Sequence, residues 1–145
     1  MSSSHPPDIV KRLQQHLGTR PEILEAYLFG SQARGRAKPH SDLDVAVFID
    51  EATAPTSPYG YGADLAADLM RVCERDDVDV VVLNSAPPLL YQRVLCDGIR
   101  VCSRDLAATT AREGRALSRY CDYLPQLRKL ETLQVARIER GTFGR

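Results

Sequence analysis

The chain has 145 residues, of which 43% are hydrophobic and 26% are charged, and its formal net charge is zero. This length predicts one domain with a core of its own. The absence of net charge excludes a strong overall field that would attract nucleic acid or a membrane surface. No stretch approaches the roughly 18 apolar residues of a membrane span, and the N-terminus has no signal-peptide pattern. The chain is therefore predicted to be cytoplasmic, with neither a membrane nor a nucleic-acid partner.

The first half of the chain predicts one helix and two strands. The helix opens at Pro6-Pro7 and stops at Gly18. A strand over 26–29 ends at Gly30, and a short helix is expected just after Ser31. The run Leu43–Ile49 is almost entirely apolar after its second residue, which predicts a strand buried on both faces.

The second half alternates loops, helices and strands and ends in a helical tail. The predicted segments are a loop over 51–62, a helix over 63–74, a strand over 78–83, a helix over 89–96, a strand over 99–102, and helical structure from 105 to about 140 that is broken at Pro125. The loop over 51–62 is open to two interpretations, a mobile functional flap or an inert insertion.

Alternation of strands with helices predicts an α/β (α+β) fold, a mixed β-sheet flanked by helices with a C-terminal helical tail. Residues 111–145 carry eight basic and four acidic side chains, a net charge of +4. A solvated helix face is the favoured interpretation of this charge, and a docking surface for an acidic partner is the alternative.

The four cysteines form no C-x-x-C pair, so they are expected to be small buried hydrophobes rather than zinc ligands or disulfides.

The most informative segment runs from Gly30-Ser31 through a basic loop to Asp42-Leu43-Asp44. In a strand, residues two apart lie on the same face, so Asp42 and Asp44 project together. Crowded carboxylates repel each other unless a cation lies between them, and magnesium prefers such hard oxygen ligands. A Gly-Ser turn offers close backbone approach, N–H groups and a hydroxyl to a phosphate. The segment therefore predicts a metal-dependent site that acts on a nucleotide.

A third carboxylate is expected to complete the metal site. Asp76, Asp77 and Asp79 lie at the third strand. Asp79 is favoured because it lies inside the apolar run, where an unpaired carboxylate would be costly. Asp77 shares a strand face with Asp79 and stays an alternative.

These motifs resemble a known family. Gly30-Ser31, ten intervening residues and Asp42-Leu43-Asp44 resemble the signature of the DNA polymerase β-like nucleotidyltransferase superfamily. The longer pattern, Gly-Ser-x-Ala-Arg-Gly followed by Ser-Asp-x-Asp, is similar to the minimal nucleotidyltransferase (MNT) branch, which includes the MntA-type antitoxins of HEPN/MNT toxin–antitoxin systems. The resemblance covers roughly residues 23–102.

The resemblance implies a minimal nucleotidyltransferase domain over 1–104 and a helical extension over 105–145 in the same compact unit. It implies ATP as substrate, two magnesium ions, and transfer of AMP to a tyrosine of a cognate HEPN ribonuclease toxin, with which the chain would form a hetero-oligomer. The site residues that it implies are Gly30 and Ser31 for the nucleotide phosphates, Asp42, Asp44 and Asp79 as catalytic metal ligands, and Arg34 in a secondary role on the triphosphate or as a helix cap.

Two other functions remain open at this point. One is a stand-alone transferase that modifies a small molecule such as an aminoglycoside, although such enzymes usually have an added domain for the acceptor. The other is a non-catalytic antitoxin that acts by binding alone. Three retained aspartates argue against the latter, because a pure binder gains nothing from crowded carboxylates.

Overall fold

The computed structural model describes residues 6–30 and 42–139. The elements follow in the predicted order. They are α1 (Pro6–Gly18), β1 (Ile23–Phe29), β2 (Leu43–Ile49), α2 (Tyr61–Val72), β3 (Val78–Val82), a 3-10 turn (Leu83–Ser85), α3 (Pro88–Asp97), β4 (Ile99–Ser103) and α4 (Leu106–Glu139). The short helix predicted just after Ser31 lies outside the described residues.

The four strands form one mixed sheet in the order β3-β2-β1-β4. β1 pairs antiparallel with both β2 and β4, whereas β2 and β3 are parallel. Parallel neighbours need a crossover connection, and α2 provides it. The predicted mixed sheet flanked by helices, with a C-terminal helix, is confirmed.

Each face of the sheet carries its own hydrophobic core. On one face α1 and α2 pack against the sheet, with Leu13 and Leu69 fully buried among the strand residues. On the other face α3 and α4 cover Tyr27 and Ala46, and Tyr91 contributes the largest buried side chain. The centre of β2 is thus buried on both sides, as its apolar sequence predicts.

The C-terminal helix differs from its prediction. α4 continues from Leu106 to Glu139 with Pro125 inside it, so the expected break is wrong. A proline removes a single hydrogen bond from the helix, the one to the carbonyl four residues earlier at Cys121. That residue is exposed, so water can hydrogen-bond to the freed carbonyl, and the turns on either side continue the helix.

The cysteines are less uniformly buried than expected. Cys73 is buried and Cys102 is half-buried, but Cys96 and Cys121 are exposed, and all four are free thiols. The two exposed residues lie on the outer surfaces of α3 and α4, where a small side chain needs no apolar partner. In the part of the chain that is described, no helix has the length and apolarity needed to cross a membrane.

Asn84 completes the pairing of β2 where β3 ends. Its side-chain oxygen accepts a hydrogen bond from the N–H of Ile49 at 3.0 Å, and its side-chain nitrogen donates to the carbonyl of Ile49 at 2.8 Å. β3 pairs with β2 only as far as Val47, so the amide of Asn84 replaces the missing backbone partner.

We expect Asn84→Ala to lower the free energy of unfolding by about 1–3 kcal/mol, because it leaves both backbone groups of Ile49 unpaired. Urea denaturation followed by circular dichroism measures the change. The neighbouring exposed residue supplies the control, Ser85→Ala, for which little change is expected. An equal loss in both variants would contradict the role assigned to the Asn84 side chain.

Candidate functional site

Three of the predicted site residues meet at the start of two neighbouring strands. Asp44 on β2 lies directly opposite Asp79 on β3 in the parallel register, so their side chains share one face of the sheet. Asp42 immediately precedes β2, two residues before Asp44, and is exposed. The structure therefore brings Asp79 to the pair Asp42 and Asp44, from which it is 35 or more residues away in sequence.

The electrostatics of Asp44 show how close these groups are. Burial raises the pKa of the Asp44 carboxyl, and the negative charges of Asp79 and then Asp42 raise it further. Each contribution disfavours the ionised form of Asp44. A divalent cation among the three carboxylates would reverse this penalty.

The structure also separates the alternatives for the third carboxylate. Asp77 is held in a bidentate ion pair by Arg75, with both N–O distances at 2.8 Å. Asp76 is exposed in the segment before β3. Asp79 is the residue opposite Asp44, so the geometry favours Asp79 and gives Asp77 a structural partner instead.

Gly30 immediately follows β1 and lies beside the side chain of Asp44. Phe29, just before it, pairs with Asp44 in the antiparallel register. The backbone of Gly30 has φ of 77°, a left-handed conformation that side chains disfavour, and a Cβ there would overlap Oδ2 of Asp44. The left-handed conformation therefore favours glycine here, and a Cβ would in addition require the Asp44 carboxylate to rotate away. Ser31 and Arg34, the other predicted phosphate-binding residues, lie outside the described residues.

We expect Gly30→Ala to lower the free energy of unfolding by about 1–3 kcal/mol, because it forces an alanine into a left-handed backbone and against Asp44. Thermal and urea denaturation measure the loss. Gly18→Ala is the matched control, since a Cβ at Gly18 meets no atom within 4 Å. Similar stability of the Gly30→Ala variant and the wild type would show that the backbone relaxes away from Asp44.

The donor set fits a hard cation. Among the residues that the structure describes, no three acidic, histidine or cysteine side chains already converge at metal-binding distances. Asp42, Asp44 and Asp79 nevertheless supply only carboxylate oxygens on one face, and burial together with their mutual repulsion raises the pKa of Asp44. Oxygen-only ligands of this kind suit Mg²⁺, which keeps several waters and shares its coordination with substrate phosphates.

Sequence reasoning did not find a second cluster on the same sheet face. Arg112, Arg115 and Arg119 follow one face of α4 and line a cavity with Phe48 and Tyr91. The spacing of the three arginines, three and four residues apart, is the signal that could have revealed it. The excess of basic residues in this tail alone favours a solvated helix face.

Comparison with known proteins identifies the family to which the chain is similar. The family model for polymerase beta nucleotidyltransferases matches residues 11–107. The protein adenylyltransferase MntA of Shewanella oneidensis is 32% identical to this chain over 90 residues, which are 62% of this chain and 59% of that protein. The match thus spans less than two thirds of the curated relative.

Two solved structures show the shared fold. A chain from the tri-AMPylated Shewanella oneidensis HEPN toxin in complex with MNT antitoxin matches with a TM-score of 0.61 and 24% identity, over 94% of this chain and 99% of that chain. A toxin–antitoxin structure with AMP-PNP matches with a TM-score of 0.56 and 23% identity, over 94% and 98% of the two chains. The family match covers β1 to β4 and includes Gly30, Asp42, Asp44 and Asp79, so the chain belongs to the polymerase beta nucleotidyltransferase family.

Proposed function

We propose that this chain is an antitoxin-type protein adenylyltransferase that transfers AMP from ATP to a tyrosine of a cognate HEPN ribonuclease toxin. The observation that carries the proposal is the grouping of Asp42, Asp44 and Asp79 on one sheet face beside Gly30. The similarity to a protein adenylyltransferase of the MNT type supports the reaction class. Because the partner degrades cellular RNA, we place both proteins in the cytoplasm.

In this proposal Asp42, Asp44 and Asp79 would hold two magnesium ions. When bound, these ions neutralise the triphosphate and lower the pKa of the attacking hydroxyl. Gly30 and Ser31 bring backbone N–H groups to the phosphates, and Arg34 adds positive charge. The tyrosine oxygen forms a bond to the α-phosphorus, the bond to the β-phosphate breaks, and pyrophosphate leaves. Asp79, exposed at the edge of the group, accepts the tyrosine proton.

The distal half of α4 offers a surface for the toxin. Leu130, Leu133 and Val135 are each more than half exposed there. Among the described elements, α4 packs mainly against α3, and this packing leaves the distal half uncovered. Leu130 and Leu133 lie three residues apart on one face of the helix, and exposed apolar side chains grouped in this way are typical of an interface with another protein. We therefore propose a hetero-oligomer in which the toxin covers this half of α4.

The chemistry explains why the modification would silence a ribonuclease. Each AMP adds a negatively charged phosphodiester and a bulky nucleoside. Beside an RNA-binding groove, that charge repels the RNA backbone and the nucleoside blocks access.

The decisive alternative is an antitoxin that acts by binding alone. The test is to incubate the toxin with this chain, ATP and magnesium, to separate the two proteins under denaturing conditions, and to refold the toxin and measure RNA cleavage. Covalent modification predicts that the toxin stays inactive after separation. Toxin treated in parallel without ATP should recover its activity and is the control. Full recovery in both samples would favour occlusion and contradict the transferase.

A further inference from the structure

Asp77 is a fourth carboxylate at the edge of the proposed metal site. It lies two residues before Asp79, and alternation along an extended segment places residues two apart on the same face. Its backbone carbonyl accepts a hydrogen bond from the N–H of Leu43 at 2.9 Å. This bond continues the parallel register of β2 and β3 by one residue, so the backbone of Asp77 lies across from that of Asp42. The backbone therefore places Asp77 beside the three carboxylates that would hold the metal ions.

The side chain of Asp77 is occupied by an ion pair with Arg75. Both of its carboxylate oxygens accept a hydrogen bond from the guanidinium, each at 2.8 Å. The Arg75 side chain is 10% exposed and that of Asp77 is 26% exposed, so water screens this pair less than it screens a surface pair. A divalent cation on the same oxygens would be repelled by the guanidinium. The ion pair therefore competes with coordination of a cation by Asp77.

The turn between α2 and β3 holds Arg75 in this position. The N–H of Arg75 donates to the carbonyl of Met70 at 2.9 Å, and Glu74 just before it has a left-handed φ of 54°. The hydrogen bond to Asp77 is the main cause that raises the pKa of Arg75, and the negative charge of Asp42 adds to it. The guanidinium thus lies near the carboxylate group and stays charged.

The number of carboxylates influences which divalent cation a site prefers. Mg²⁺ demands near-octahedral geometry, keeps several waters and is usually held by few carboxylates together with substrate phosphates. Ca²⁺ takes about six to eight oxygen ligands, and its affinity depends on how many of them are charged. A fourth carboxylate beside Asp42, Asp44 and Asp79 would therefore favour Ca²⁺ over Mg²⁺.

We propose that Arg75 is a specificity-determining residue, which keeps Asp77 out of the metal site and so preserves a preference for Mg²⁺ over Ca²⁺. The inference rests on the proposed function for the role of the three other carboxylates. Without its guanidinium partner, the Asp77 side chain would add its oxygens to the ligand set. The cation specificity of the site thus depends on a residue outside that set.

The first experiment titrates this chain alone, without ATP or toxin, with Ca²⁺ and separately with Mg²⁺ in a calorimeter. Arg75→Lys keeps the positive charge but loses the bidentate fork that holds Asp77. We expect it to raise the ratio of Ca²⁺ to Mg²⁺ affinity by at least about threefold, and we expect Arg75→Met to raise this ratio by at least about tenfold. A purely Coulombic effect of the lost charge would strengthen the binding of both ions and leave the ratio unchanged.

Three further variants show whether Asp77 and the metal site cause the change. Asp77→Asn in the Arg75→Met background removes the released carboxylate and should return the ratio to that of the wild type. Asp79→Asn in the same background should abolish the gain in Ca²⁺ affinity, because the released Asp77 would act together with Asp79. Asp76→Asn is the matched control, since Asp76 is exposed and adjacent in sequence, and it should leave the ratio unchanged. Circular dichroism shows whether each variant is folded.

An unchanged ratio in every folded Arg75 variant, or the absence of Ca²⁺ binding in all of them, overturns the proposal. A gain that persists after Asp77→Asn also overturns it, because Asp77 would then not be the added ligand.

The second experiment measures adenylylation of the toxin at a fixed Mg²⁺ concentration with increasing Ca²⁺. Ca²⁺ should inhibit Arg75→Met at a concentration at least about fivefold lower than it inhibits the wild type. Equal sensitivity of the two proteins to Ca²⁺ would contradict the role of Arg75. If neither protein modifies the toxin, the proposed function fails, and the Ca²⁺ and Mg²⁺ titrations alone decide the role of Arg75.

Discussion

Asp44→Asn is expected to lower the rate of AMP transfer by at least about 10²–10³-fold, because it removes the charge of a proposed metal ligand. The variant should fold normally. Burial and two neighbouring carboxylates disfavour the charge of Asp44, so its neutral replacement is expected to be at least as stable as the wild type in metal-free buffer. Quenched-flow or discontinuous assay of toxin adenylylation measures the rate, and thermal denaturation measures the stability.

Three neighbouring aspartates provide the comparison for this variant. Asp79→Asn should lose activity like Asp44→Asn, whereas Asp76→Asn should retain it, because Asp76 is exposed before β3. Asp77→Asn breaks the ion pair with Arg75 and should affect stability more than rate. Equal rates for Asp44→Asn and Asp76→Asn would show that Asp44 is not part of the catalytic site.

Arg112→Met is expected to produce the largest loss of stability, about 3–5 kcal/mol, because it leaves a fully buried carboxylate without its partner. Glu25 on β1 is 0% exposed and receives both hydrogen bonds of Arg112 together with one from Thr109 at 3.0 Å. This cluster fastens α4 to the sheet. Urea denaturation of the variant, followed by circular dichroism, gives the free energy of unfolding.

The double variant Glu25→Gln/Arg112→Met distinguishes the loss of stability caused by an unpaired buried charge from the loss caused by missing side-chain packing. It removes the buried charge as well as its partner, so it should recover more than half of the stability that Arg112→Met loses. Arg115→Met, one turn further along α4 and exposed, is the matched single control and should change stability little. If Arg112→Met and Arg115→Met behave alike, the buried ion pair does not anchor α4.

The grouping of the carboxylates could be predicted because it depends largely on patterns within short segments of the sequence. The alternation of side chains along a strand puts Asp42 and Asp44 on one face, and the apolar run around Asp79 predicts a further strand. The burial expected for Asp79 is wrong, because β3 is an edge strand on which Asp79 is exposed. The order of the elements and the bounds of β2 follow from the same hydrophobic pattern. The exact pairing of Asp44 with Asp79 needed the register of two strands, which no single segment encodes.

The features that sequence reasoning missed depend on distant contacts. Glu25 and Arg112 are 87 residues apart, so neither position indicates that its charge is paired. The continuation of α4 through Pro125 depends on the helical turns on both sides of the proline. The cavity lined by Arg112, Arg115 and Arg119 forms only where α4 lies against α3 and the end of β2, and these arginines alone are typical of a solvated helix face.

The proposed function depends on covalent transfer of AMP from this chain's active site to its partner. The most direct measurement is the intact mass of the cognate toxin after incubation with this chain, ATP and magnesium, with tandem fragmentation to locate the modified residue. We expect a gain of whole adenylate units on a tyrosine, and both a chelator and Asp44→Asn should abolish this gain. A toxin that this chain neutralises while its mass stays unchanged would exclude covalent transfer of AMP.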